Sequence, residues 1–112
     1  MDNRLIGQIG ENAAADVLRA KGYTILKRNF RCKYGEIDII AEKYGAMSFV
    51  EVKTRQNQKF GRPCESINEE KKEHIRKTAR YYLDEMRAKG YVPRKYDFQV
   101  VEVTIEHTEY AF

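Results

Sequence analysis

The stretch GEIDIIAEKYGAMSFVEVKT, residues 35–54, decides the fold of this chain. It holds two short apolar segments, each bounded by polar or glycine positions and rich in β-branched and aromatic residues. Such segments predict two β-strands, over Gly35–Glu42 and Ala46–Thr54. We expect Tyr44 and Gly45 to form a two-residue hairpin loop, which pairs Lys43 with Ala46 and makes the strands antiparallel.

Three ionisable side chains interrupt these apolar strands: Asp38 in the first, and Glu51 and Lys53 in the second. Because side chains alternate along a strand, Glu51 and Lys53 lie on the same face of the sheet. The two-residue loop, and equally a four-residue loop, places Asp38 opposite Glu51 on that face. A three-residue loop would shift the register and turn Asp38 to the other face.

Neighbouring carboxylates at Asp38 and Glu51 cost stability unless a positive charge lies between them. They offer the hard oxygen ligands that Mg²⁺ or Mn²⁺ prefers, and such a metal keeps waters and can take a phosphate oxygen. The ammonium of Lys53 could lower the pKa of a metal-bound water or stabilise charge on a phosphorane. Glu-x-Lys is also typical of a solvent-facing pair on a half-exposed sheet, so Asp38 in matching register is what favours a site.

The remaining elements lie on either side of this hairpin. Apolar residues at helical spacing predict a helix from about residue 4 to Gly22, and Tyr23–Phe30 predicts a further strand. A second helix is predicted from a capping box at Ser66–Glu69 to Gly90, then a strand over Tyr96–Ile105 that suits burial on both faces. The long last crossover allows a parallel final strand. The order α-β-β-β-α-β predicts an α/β domain with a mixed sheet of four to five strands flanked by helices.

The composition fits a single domain over residues 1–112, with 42% hydrophobic and 34% charged residues. The formal net charge of +4 favours an anionic partner, although a solvated charged surface has the same composition. No apolar run approaches the ~18 residues that suggest a membrane-spanning helix. Cys32 and Cys64 form no metal-ligand pattern and fit free thiols in a reducing compartment. We therefore expect a cytoplasmic protein that does not enter a membrane.

Further motifs extend over nearly the whole chain. They are Gly7, Gly10-Glu11, Ala14, Gly22-Tyr23, Arg28-Asn29, Gly35-Glu36-Ile37-Asp38, Phe49 to Arg55, Phe60-Gly61, Lys71, Ala79 and Tyr96-Asp97. With these motifs the chain resembles the YraN-like family of small bacterial proteins, in the Holliday-junction-resolvase-like branch of the PD-(D/E)xK nuclease superfamily. Ile37 stands where the superfamily usually has proline before the aspartate, as is usual in this branch. The resemblance implies a restriction-endonuclease-like core that cuts phosphodiester bonds in DNA, branched or junction DNA included.

The resemblance also implies a role for each site residue. Asp38 and Glu51 would be ligands of Mg²⁺ or Mn²⁺, Lys53 the catalytic lysine, and Glu11 a helix-borne carboxylate that reaches the metal directly or through water. An acid such as Glu11 near the N-terminal turn of a helix is also favoured there by the helix dipole. Glu36 shares the face of Asp38 by alternation and would support the site or carry surface charge. Resolvases of this fold act as two-fold dimers, so a homodimer is implied as well.

A basic segment follows the presumed catalytic strand. Arg55, Lys59 and Arg62 lie there with no acid before Glu65, and they are candidates to contact nucleic-acid phosphates because the segment adjoins the site. On the second helix, Lys71 is either another such contact or an ordinary exposed lysine.

Two functions remain open from the sequence. The leading hypothesis is a divalent-metal-dependent endonuclease that acts on DNA. The alternative is a non-catalytic nucleic-acid-binding or protein-interaction module that keeps a nuclease fold. The complete set of Asp38, Glu51 and Lys53 favours the enzyme, because a binding module gains nothing from keeping an acidic cluster against phosphate.

Overall fold

The computed structural model of the protein describes residues 2–56 and 67–112. In chain order the elements are α1 (Asn3–Ala20), β1 (Thr24–Cys32), β2 (Gly35–Lys43), β3 (Ala46–Gln56), α2 (Glu69–Ala88) and β4 (Lys95–Ile105). The four strands form one sheet in the order β1-β2-β3-β4. Its pairs are antiparallel except for β3 and β4, which are parallel. The predicted α/β class, mixed sheet and order α-β-β-β-α-β are confirmed.

The β2–β3 hairpin turns at Tyr44 and Gly45, whose φ angles are 53° and 77°. Two consecutive residues with positive φ are typical of a type I′ turn, whose twist matches that of antiparallel strands. Lys43 pairs with Ala46, and the ladder runs without a shift to the pair Ile39–Val50. The predicted two-residue loop and register are therefore confirmed.

One helix covers each face of the sheet and buries its own apolar cluster. The α1 cluster consists of Ala14, Ala15 and Leu18 with Ile39, Ala41 and Val50. The α2 cluster consists of Ala79 and Tyr82 with Phe30, Ile37, Ile40, Met47 and Phe49. Both helices supply apolar side chains at helical spacing, as the sequence pattern predicted.

The regular alternation of side chains between the two faces of the sheet is interrupted at one point in the first two strands. Ile37 belongs to the α2 cluster and Ile39 to the α1 cluster, although residues two apart in a regular strand share a face. On β1, Phe30 pairs with Ile37, and the preceding residue, Asn29, has a φ of 53°. Asparagine is one of the few residues other than glycine that adopt this conformation readily. Asp38, between Ile37 and Ile39, therefore lies where the alternation of side chains along β2 is interrupted.

The prediction that the last strand is buried on both faces is wrong. β4 is an edge strand, paired only with β3 in the described sheet. On the α1 side Val101 and Val103 pack against the α1 cluster, but on the other side Phe98 and Val100 remain 46% and 49% exposed. An apolar run shows that a strand has apolar faces, but it does not show how far the helices extend to cover them.

Helix α2 begins later than the predicted capping box. Its N-cap is Asn68, whose Oδ1 accepts a hydrogen bond from the backbone N–H of Lys71 at 2.8 Å. Ser66, the predicted cap, lies outside the described residues. Neither α1 nor α2 combines the length with the apolar character that crossing a membrane requires.

Gly10 allows α1 to approach β3 closely. A Cβ atom at residue 10 would lie only 2.8 Å from both Cβ and Cγ2 of Thr54. Real Cβ contacts are essentially never this short, so any side chain at residue 10 would require α1 or Thr54 to move. The close approach also brings the next residue, Glu11, to the sheet.

We expect Gly10→Ala to lower the free energy of unfolding by about 1–3 kcal/mol, because the added methyl forces α1 away from the sheet. Gly7→Ala in the same helix is the matched control, since a Cβ at residue 7 meets nothing within 4 Å. That control should raise the free energy of unfolding by up to about 1 kcal/mol through helix propensity. Urea denaturation measures both variants, and equal effects at the two positions would show that α1 has room at residue 10.

Candidate functional site

Asp38 and Glu51 lie at the end of the β2–β3 ladder. The last backbone pair is Ile39–Val50, so Asp38 and Glu51 are the next positions on the two strands. The amide of Val52, just beyond the ladder, donates a hydrogen bond to Oδ2 of Asp38 at 2.7 Å. The Asp38 carboxylate is therefore fixed against the backbone of Glu51-Val52-Lys53.

Glu51 and Lys53 share the face of the sheet that α2 covers. β3 pairs with β4 without a shift from Ala46–Lys95 to Gln56–Ile105, so its side chains alternate regularly. Met47 and Phe49 on β3 belong to the α2 cluster, and Glu51 and Lys53 continue that series. Val52, between them, packs against the α1 cluster.

Glu11 approaches the same place from α1. Its helix is held against the sheet by the Gly10–Thr54 approach and by a hydrogen bond of 2.7 Å from Arg28 to the neighbouring Asn12. The Oε1 atom of Glu11 is buried and has no hydrogen-bond partner among the described residues. A buried carboxylate oxygen without a hydrogen-bond partner costs free energy.

Burial and the neighbouring carboxylates raise the pKa of Asp38 to about 6, from an ordinary value of 3.8. Burial is the largest cause, and the negative charges of Glu51, Glu11 and Glu36 act in the same direction, whereas the hydrogen bond from Val52 lowers the pKa. The surroundings of Asp38 thus favour its protonated form more than water does.

Lys71 supplies a positive charge to this centre. Its Nζ lies 2.7 Å from Oε1 of Glu51, whose side chain is only 14% exposed. The hydrogen bond to Glu51 is the main cause that raises the pKa of Lys71, and the charges of Asp38 and Glu36 contribute. The sequence alone did not separate this contact from an ordinary exposed lysine, because it joins residues on different elements.

The other predicted site residues lie around this centre. Glu36 is exposed and forms an ion pair with Arg31 at 2.8 Å, so it contributes charge from the margin. Arg55 lies within β3 rather than in a loop, and its Nε is 2.7 Å from Oε1 of Glu102. Lys59 and Arg62 fall outside the described residues.

No group of three or more His, Cys, Asp and Glu side chains within residues 2–56 and 67–112 is arranged to hold a metal ion. In this arrangement Glu51 is paired with the ammonium of Lys71, and Asp38 is bound to the amide of Val52. The acidic residues are thus brought to one end of the ladder, each with its own contacts.

The relationship to known proteins agrees with the sequence motifs. The model of the uncharacterised protein family UPF0102 matches residues 10–103. The chain therefore belongs to the UPF0102 family. The match includes every described candidate residue, from Glu11 on α1 to Lys71 on α2.

Relatives named as UPF0102 proteins share this similarity over most of their length. The one from Caldicellulosiruptor saccharolyticus is 47% identical over 103 residues, which cover 92% of this chain and 85% of the relative. The one from Clostridium acetobutylicum is 45% identical over 105 residues, which cover 94% and 84%. The one from Moorella thermoacetica is 45% identical over 109 residues, which cover 97% and 88%.

The raised pKa of Asp38 predicts a specific dependence of stability on pH. Between about pH 4 and pH 6 the folded protein keeps a proton on Asp38 that the unfolded chain has lost, so stability should fall as pH rises through this window. Asp38→Asn should remove that decrease, because an amide does not ionise and can still accept the hydrogen bond from Val52. Urea denaturation at several pH values, with a chelator present, measures the effect.

The control is Asp16→Asn, on an exposed part of α1 where Asp16 pairs only with Arg19 in the described structure. This variant should keep the decrease in stability seen in the wild type. A wild-type protein with the same stability at pH 4 and pH 6 would contradict the assigned burial and charge of Asp38.

Proposed function

We propose that this protein is a divalent-metal-dependent endonuclease that hydrolyses phosphodiester bonds in DNA, branched or junction DNA included. The observation that carries the proposal is the 2.7 Å hydrogen bond from the Val52 amide to Asp38. It holds one carboxylate against the segment that presents Glu51 and Lys53. Two carboxylates and an ammonium group on one end of a hairpin are the groups that metal-assisted phosphate chemistry requires.

The acidic side chains fit Mg²⁺ or Mn²⁺ in their chemistry. Asp38 and Glu51 offer the carboxylate oxygens that these hard cations prefer, and we assign them as ligands. The buried Oε1 of Glu11 has no partner among the described residues, and we assign Glu11 as a further ligand, direct or through water. When bound, the cation supplies a polarised phosphate oxygen and a water with a lowered pKa.

Lys53 is the catalytic residue of this proposal. Its ammonium lies on the face that carries Glu51, where it stabilises negative charge that develops on the attacked phosphate. The hydrogen bond from Val52 holds the carboxylate of Asp38 on the other side of the site. Lys71 and Arg55 are assigned to phosphate contacts beside the site, as are Lys59 and Arg62 beyond the described residues.

The substrate also suggests where the protein acts and how it assembles. We propose a cytoplasmic location, where DNA is accessible. We further propose a homodimer, because two-fold symmetry in the protein would match that of a four-way junction. Nucleic acid is thus the main partner of the proposed enzyme.

Lys71 should compete with the metal for Glu51. We expect Lys71→Met to tighten Mn²⁺ binding in calorimetry, because Glu51 no longer has to release an ammonium group. With a chelator present, the same variant should lose about 1–3 kcal/mol of stability, since it leaves a largely buried carboxylate without its partner. Asp38→Asn should abolish most of the metal binding.

The matched control for Lys71 is its neighbour Lys72, which forms an ion pair with Glu69 at 3.2 Å. The Glu69 side chain is 80% exposed, so Lys72→Met should change neither metal binding nor stability by more than about 1 kcal/mol. If Lys71→Met and Lys72→Met bind Mn²⁺ equally, Glu51 is not the residue that the metal and Lys71 share.

The enzymatic proposal is tested by incubating linear, flapped and four-way DNA with Mg²⁺ or Mn²⁺. We expect metal-dependent cleavage that falls roughly a hundredfold or more in Lys53→Ala, because one transition-state stabiliser is lost. Metal binding by calorimetry and DNA affinity should stay close to the wild type. Lys27→Ala, an exposed lysine on β1, is the control and should cleave normally.

The same experiment separates the enzyme from the non-catalytic alternative. Tight binding of any of these DNAs without metal-dependent cleavage would contradict the nuclease proposal and support a non-catalytic nucleic-acid-binding module. Cleavage that persists in Lys53→Ala would instead remove Lys53 from the proposed mechanism.

A further inference from the structure

An open groove lies between α2 and β4 on the face that carries Glu51 and Lys53. α2 packs over β2 and β1, and it leaves the α2-facing side chains of β4 uncovered. Tyr96, Phe98 and Val100 on that side are 50%, 46% and 49% exposed. Large apolar side chains that stay half-exposed in a row are a common feature of binding surfaces.

The groove consists of two adjoining cavities of about 230 Å³ and about 530 Å³. Both are lined by Phe98 from β4 and by Arg76 from α2. Glu51 lines the smaller cavity and Tyr96 the larger one. The groove therefore begins at the candidate active site and continues along the edge strand.

Its two sides differ in chemistry. The floor carries the aromatic rings of Phe98 and Tyr96, whose centroids are 6.0 Å apart in an edge-on arrangement. The α2 side carries a row of basic residues: Lys72, Arg76, Lys77, Arg80 and Arg87. The acids in the linings are Glu51, Glu73 and Asp84, so basic residues predominate away from the active site. The exposed pair of Arg76 with Glu73, at 3.3 Å, is weak in water and leaves Arg76 able to bind phosphate.

Exposed aromatic rings beside a basic groove form the usual binding surface for a single strand of nucleic acid. Bases stack on the rings without sequence preference, and basic side chains follow the phosphates. The basic side of the groove favours a polyanion over a second copy of this chain, whose own formal net charge is +4. The smaller cavity, of about 230 Å³, is below the ~300 Å³ of ordinary ligand pockets. A flat group of one or two rings fits such a space.

We propose that the groove between α2 and β4 binds an unpaired DNA strand, with a base stacked on Phe98 and the adjacent phosphate directed towards Glu51 and Lys53. This inference rests on the proposed nuclease function, and it narrows the substrate to DNA that presents a single-stranded segment at the cleavage site. Flaps, overhangs and opened junctions meet that condition, whereas uninterrupted duplex does not.

The test is fluorescence anisotropy with a labelled single-stranded oligothymidine and a blunt duplex, in chelator so that cleavage cannot occur. We expect the wild type to bind the single strand more tightly than the duplex. Phe98→Leu keeps apolar volume but removes the ring, and it should weaken single-strand binding roughly tenfold or more while duplex binding is unchanged. Phe98→Trp should retain the preference, since it keeps an aromatic surface.

Two further variants complete the design. Tyr44→Asn removes an exposed ring that does not line the groove, and it should bind both DNAs like the wild type. Arg80→Gln, at an exposed position of α2, should reduce the dependence of single-strand affinity on salt by about one unit of slope. Arg80→Gln also tests the groove should the Phe98 variants fail to fold, which thermal melting shows.

Failure of this inference is distinguishable from failure of the nuclease proposal. Single-strand binding that needs Phe98, without cleavage in Mg²⁺ or Mn²⁺, would support the binding role of the groove and contradict the nuclease proposal. If the protein cleaves DNA, and wild type and Phe98→Leu bind the single strand with equal affinity, the binding role of the groove is contradicted. The nuclease proposal then still stands. A wild-type dimer that Phe98→Leu converts to a monomer would show that a second copy occupies the groove, and would also overturn the inference.

Discussion

The type I′ turn at Tyr44 and Gly45 is the constraint on which the candidate site depends. A two-residue turn with positive φ at both residues allows one register between the strands that it joins. The register set at Lys43–Ala46 therefore continues to Ile39–Val50. One extra residue in the turn would move every later side chain to the opposite face. Asp38 would then no longer meet the segment that presents Glu51. A local backbone preference thus determines the position of charges at the far end of the hairpin.

The fold keeps several carboxylates together at that end, and it offsets their repulsion only in part. The Val52 amide binds Asp38, and the Lys71 ammonium binds Glu51. Glu11 keeps a buried oxygen without a partner in the described structure, and the pKa of Asp38 remains raised to about 6. A surface selected only for stability would replace at least one of these acids with a neutral residue. The metal site that we propose would place a cation among these acids.

The two helices cover the sheet unevenly, and this asymmetry gives the protein its accessible face. α1 contacts all four strands, which partly buries Val101 and Val103 of the edge strand. α2 lies over the opposite end of the sheet and exposes Phe98. The position of α2 also brings its first turn to Glu51. Both the acidic centre and the groove between α2 and β4 therefore depend on how α2 packs on the sheet.

The sequence predicted the elements and the hairpin register because both depend on local chemistry. Apolar residues at helical or alternating spacing identify helices and strands, and a two-residue turn allows one antiparallel register. These rules predicted that Glu51 and Lys53 share a face, whereas Asp38 lies where the alternation along β2 is interrupted. The carboxylate set and the family motifs then indicated the candidate site.

Other features depended on contacts between elements that are distant in sequence. The pairing of Lys71 with Glu51 and the bond from Val52 to Asp38 require α2 and the end of the ladder to be in place. The prediction that β4 is buried on both faces was wrong. Its apolar pattern shows that both faces are apolar, but not how much of each face a helix covers. The sequence by itself determined which residues form the strands and that Glu51 and Lys53 share a face. Only the tertiary structure decided which charges touch and which apolar side chains stay open to a partner, since both depend on where α2 packs across the sheet.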